Sequence, residues 1–145
     1  MALKRETLVE EHAELGTVIG DLLRRAALRP LPIADLAQLR WRLSRLLLAH
    51  LAKEDRLLHP MLQRGADPVA AALSRRFEGE MGGLSDGLKA YMQDWDAPRI
   101  EAQPDAFETA TRGLAAALAD RIHREETQLY RHIPTAKVDA GVRQA

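Results

Sequence analysis

The chain contains no cysteine, which excludes disulfides, thiolate metal sites, iron–sulfur clusters and a cysteine nucleophile, and fits a reducing compartment. Aromatic residues are scarce, two each of Trp, Tyr and Phe. No segment alternates polar and apolar residues with the period of a strand. There is no charge bias either: 21 basic and 21 acidic residues give a formal net charge of zero. Without a basic stripe or a polybasic segment, neither nucleic acid nor an anionic membrane is an expected partner. Nothing approaches the ~18 consecutive apolar residues of a membrane span. The opening residues, MALKRETLVEEHAEL, lack the apolar run of a secretory signal, so the expected location is the cytoplasm.

Ala, Leu, Arg and Glu dominate, and 46% of the 145 residues are hydrophobic, enough for one domain with a core that needs no staples. The expected fold class is all-α, an antiparallel up-down-up-down four-helix bundle over residues 1–134 with a polar tail over 135–145. Helix one should run from Leu3 to Leu28, where Arg29-Pro30-Leu31-Pro32 stops it. Helix two should start near Asp35 and end before Gly65, with Pro60 kinking its last turns. Asp67-Pro68 supplies an N-cap and first-turn proline for helix three, which should reach Asp96. Residues 97–104 read as the one long connection, and Asp105 with Glu108 as a capping box for helix four, which Ile133-Pro134 ends.

The apolar stripe of each helix is interrupted by ionisable residues. Leu8, His12, Leu15, Ile19 and Leu22 step by four and three, so His12 stands where a core leucine belongs. The second stripe reads Leu39, Leu43, Leu46, His50, Glu54, Leu57, Met61, and the fourth Leu114, Leu118, Arg121, Glu125, Leu129. The third can be phased through Phe77, Glu80, Leu84 or through Phe77, Met81, Leu84. Burying such groups unpaired costs several kcal/mol, so they must answer one another. His12 and His50 are equidistant from the turn near Leu31, which places them level in an antiparallel pair. The same reasoning brings Glu54, Glu80, Arg121 and Glu125 toward that height.

His50 and Glu54, four residues apart on one helix face, have the spacing that lets an imidazole and a carboxylate share a metal ion. His12, Glu80 and Glu125 complete a candidate ligand set. Arg121 is a partner for the layer's carboxylates, since a guanidinium has no lone pair for a metal. Three inward carboxylates against one guanidinium leave a deficit that one divalent ion would fill. The alternative is a metal-free network of arginine, carboxylates and protonated histidines. His59, His123 and His132 read as solvent-facing or helix-end residues, and the glutamate-rich start of helix one as a solvated face. Trp41, off the stripe and in line with Leu48, is a candidate partner surface, including one for a homodimer.

HAEL at His12, HLAKED followed by Pro60, EMGG at Glu80 and REETQLY near the end resemble, in order and spacing, the hemerythrin-like HHE cation-binding domains. The resemblance covers residues 5–134. It implies a four-helix bundle binding two iron atoms through histidines of every helix and carboxylates of the second and fourth. His12, His50, Glu54 and Glu125 match that pattern. Met81 and Arg121 stand where two of the family's histidines are expected, and His123, about 200° round the helix from Arg121, does not replace the second. The resulting expectation is a protein holding one divalent metal, iron foremost, in oxygen, nitric oxide or iron sensing or storage. An oxygen- or peroxide-activating enzyme and a metal-free bundle with a regulatory partner are the competing readings.

Overall fold

The computed structural model describes residues 3–134, except for the side chains of residues 81 and 82. The expected tail over 135–145 lies outside the described residues, as does the Met81 side chain. Among the described residues there is no strand. Helix α1 spans Arg5–Ala26, and α2 spans Ile33–Lys53. A π-helical turn, Glu54–Leu58, joins α2 to the short α3, His59–Arg64. Helix α4 covers Pro68–Asp94, α5 Ala97–Ala102 and α6 Pro104–Arg124. A second π turn, Glu125–Leu129, and a 3-10 turn, Tyr130–His132, complete the described chain. Among the described residues no helix is long and apolar enough to cross a membrane.

The start of α4 follows local chemistry closely, since the Asp67 carboxylate accepts from Val69 N (2.9 Å) and Ala70 N (3.4 Å), satisfying donors a helix start leaves open. Three expectations need correction. The supposed long connection contains α5, capped by Asp96 on Arg99 N at 2.9 Å. Asp105 and Glu108 do not box the start of α6, where Gln103 is the N-cap. Both instead bind Arg29, at 2.8 and 2.9 Å, and tie the first interhelical turn to α6. Pro60 breaks nothing: it sits in the first turn of α3, where its missing N–H costs little. The interruption falls earlier, in the π turn.

Helix α1 meets α2 at opposite ends, through Arg25 to Asp35 and Glu11 to His50. Its first half also reaches the second π turn through His12 and Glu126. The core divides in two. Leu15, Val18, Leu22, Leu43, Leu88 and Phe107 belong to one apolar cluster, and Leu8, Leu58, Phe77, Leu129 and Tyr130 to another. Each fully buried large side chain contributes roughly 1.5–3 kcal/mol. Between the clusters lies a polar layer. Trp41, 66% exposed, and Leu48, 40%, stand on the outside of α2.

Candidate metal centre

His12, His50, Glu54 and Glu125 are all buried, and one ligand atom from each lies within 4.8 Å of the others. Nε2 of His12 is 3.1 Å from Nε2 of His50 and 2.8 Å from Oε1 of Glu125. His50 Nε2 is 3.2 Å from Oε2 of Glu54. The opposite ring nitrogens are held from outside. His12 Nδ1–H donates to Glu126 at 2.7 Å, and His50 Nδ1–H donates to Glu11 at 2.8 Å. Lys53 in turn pairs with Glu11. A carboxylate on Nδ1 fixes ring and tautomer so that Nε2 presents its lone pair inward, the arrangement that metal-bound imidazoles use. Glu54 Oε1 is buried without a hydrogen-bond partner, a polar atom that a cation would satisfy. These residues fit a metal ion.

The buried cluster differs from the expected ligand set in one member. Glu80 is exposed and binds Arg124 at 2.5 Å and Arg76 at 3.8 Å. It does not reach the layer, because the inward phase of α4 runs through Phe77 and Leu88. Arg121 is buried in the layer, its Nε donating to Glu125 Oε2 at 2.8 Å and its guanidinium 5.1 Å over the Phe77 ring. His123 points outward, as its phase predicts.

His59 is fully buried rather than solvent-facing, with Nδ1 2.8 Å from Ser74 Oγ. The π turn causes this. Its extra residue advances the phase of everything after Glu54, burying Leu58 and Leu62 and leaving Leu57 49% exposed, where uninterrupted rhythm put Leu57 and Met61 inside. The second π turn does the same for Tyr130, whose N–H donates to the Glu125 carbonyl just as His59 N–H donates to that of Glu54. On an α-helix Tyr130 would lie about 140° away from Glu125. Instead its hydroxyl is 2.9 Å from Glu125 Oε1 and 2.5 Å from Glu54 Oε2. Glu11, expected on a solvated face, is half-buried against His50, and the apolar stripes mark neither Tyr130 nor Glu126. The only sequence signal was that each glutamate adjoins a layer residue, one in EEH and the other in REET.

Burial alone would favour neutral His50, but hydrogen bonds to Glu125 and Glu54 outweigh it and raise its pKa to about 10. Burial and repulsion from Glu125 push Glu54 above the usual carboxylate range, despite His50. For Glu125 burial is overcome by hydrogen bonds from His12 and His50 and by the Arg121 charge, which hold it well below that range. Burial keeps His59 neutral. Without a cation the layer thus takes on protons to limit its negative charge. A cleft of about 320 Å³ runs to the layer's edge, lined by His12, Gly16, Ala119, Ile122 and Glu126 among others.

No curated protein and no solved structure matches the chain at a significant level. The sequence profile of the hemerythrin HHE cation binding domain matches residues 3–133, nearly every residue from which the helices and the buried histidine–carboxylate cluster are built. The chain belongs to the hemerythrin HHE cation-binding domain family.

Proposed function

We propose that this protein holds a single metal ion, iron foremost, between His12, His50, Glu54 and Glu125, within an up-down-up-down antiparallel bundle in which α5 decorates the last connection. The observation that carries the reading is the pair of outer carboxylates. Glu126 and Glu11 each grip the Nδ1 of an imidazole from another helix and aim both Nε2 atoms at one point, which a merely structural histidine pair does not require. A second ion is disfavoured by Arg121, which occupies one oxygen of Glu125 and adds a fixed positive charge. Bound iron supplies a redox-active Lewis-acid centre suited to a diatomic ligand such as oxygen or nitric oxide.

The residues' own tasks follow from their positions. Glu54 and Glu125 supply charge, His12 and His50 neutral donors, and Arg121 holds Glu125 in place. Gly16 and Ala119 leave room beside His12 for a small molecule to approach. Sensing of a small ligand or of iron, or iron storage, is the role we assign to this arrangement. The metal-free reading has one observation in its favour: with His50 protonated, imidazolium, guanidinium and two carboxylates already interlock.

Elemental analysis of protein purified without a chelating tag separates the two. One metal per chain, lost in His50→Ala, is expected. A metal-free chain that cannot be loaded supports the structural network, and two metals per chain defeat the assignment of Arg121.

A further inference from the structure

Tyr130 has no accessible surface, and its hydroxyl oxygen is surrounded by the proposed ligand atoms themselves. It lies 2.5 Å from Glu54 Oε2, 2.9 Å from Glu125 Oε1, 3.0 Å from His12 Nε2 and 3.2 Å from His50 Nε2. As hydrogen bonding this is redundant, because a phenol has one proton to offer and two carboxylate oxygens compete for it. As coordination it is orderly. Donors about 2.1 Å from a metal and at right angles are about 3 Å apart, which is the spacing of Tyr130 Oη from its neighbours. The ring is locked by its 5.2 Å stack on His12 and by the π turn beneath it, so the hydroxyl has no other place to point.

We propose that Tyr130 is a fifth metal ligand, giving a two-imidazole, two-carboxylate, one-phenolate site that selects ferric iron over divalent ions. The proposal rests on the one-metal reading above. Phenolate, Glu54 and Glu125 put three negative donors directly on the ion, and Arg121 offsets one of those charges from outside through Glu125 Oε2. The preference for ferric iron comes from the donor set: all five are oxygen or imidazole nitrogen, which suit a hard cation. Loading with ferric ion is ligand exchange without electron transfer. The phenol O–H bond breaks, the oxygen–iron bond forms, and the proton leaves to solvent.

The chain has two tyrosines, and the other, Tyr91, bonds Thr111 Oγ1 at 2.8 Å in the apolar cluster on the far side of the layer. This makes the test clean. Purified full-length protein is loaded with ferric nitrilotriacetate, and iron content is read beside the visible and resonance Raman spectra. One iron per chain with a broad phenolate-to-iron charge-transfer band and tyrosinate ring modes is expected. Tyr91→Phe keeps the band. Tyr130→Phe loses it, and ferric affinity falls about tenfold or more, with zinc affinity changed far less. Should Tyr130→Phe fail to fold, the band and Raman modes of the wild type and of Tyr91→Phe assign Tyr130 by elimination. One iron per chain without the band, or a band that survives Tyr130→Phe, overturns the proposal while leaving the metal site standing. Failure of the wild type to bind any iron overturns both.

Discussion

The two halves of the polar layer use one backbone device with different side chains. On α2, His50 precedes Glu54 by four residues; on α6, Arg121 precedes Glu125 by four. Each glutamate opens a five-residue π turn, and each turn closes with an N–H bonded to that glutamate's carbonyl, from His59 in one half and Tyr130 in the other. The chemistry diverges from there. His50 offers a lone pair where Arg121 offers only a charge, and His59 turns away to Ser74 while Tyr130 turns into the layer. A repeated backbone therefore sets where polar groups stand, and side-chain identity decides whether the position four residues before each glutamate offers a lone pair or a plugging charge.

Removing the difference breaks the site most severely. His50→Arg makes both halves plugs, and metal content should fall from one per chain to background, with circular dichroism still helical. Retention of metal in that variant would mean His50 is not a ligand. Arg121→Leu removes the plug instead. It strips Glu125 of its guanidinium partner and should destabilise the metal-free protein by about 3 kcal/mol, the scale for stranding buried charge. Urea denaturation reads this directly, and an unchanged midpoint would show that Arg121 contributes little.

Smaller effects sharpen the comparison. Glu126→Gln leaves every proposed ligand in place but weakens the brace on His12, so metal affinity should drop about tenfold; competition with a calibrated chelator measures it, and an unaltered affinity would remove Glu126 from the site. The smallest effect is on pH dependence. The folded pKa of His50, about 10, lies above its ordinary value of 6.5, so its stabilisation of metal-free protein is complete below pH 6.5 and lost as pH rises through 10. Glu125, lowered from 4.5, contributes in the other direction: present above pH 4.5 and lost in acid. Urea midpoints of metal-free protein across pH should thus decline at both extremes. Metal saturation should flatten the alkaline limb, because Nε2 of His50 then carries metal in place of a proton.

The inward residues of uninterrupted helix were readable because an α-helix advances a fixed angle per residue. His12, His50, Glu54, Arg121 and Glu125 all lie before or at the π turns, and all are buried as their stripes imply. Errors begin where that angle changes. Leu57, within the first π turn, is exposed instead of inward, His59 just after it is inward instead of solvent-facing, and Met61 is only half-buried against the second cluster. Tyr130 follows the second and escaped notice. Glu80 had two permissible phases, and only the packing of Phe77 and Leu88 chose between them.

The family, the helical class and the positions of four candidate donors were determined by the sequence alone, through apolar periodicity and the motifs around His12, His50, Glu80 and Glu125. Tertiary structure decided three things. It brought Glu11 of α1 to His50 of α2 and Glu126 near the chain's end to His12 of α1, contacts between residues with no mutual signature in sequence. It sent Glu80 to Arg124, outside the layer. It also drew the Tyr130 hydroxyl among His12, His50, Glu54 and Glu125. The physical reason is common to all three: helical phase says which face a side chain leaves from, and only packing says which atoms meet it there.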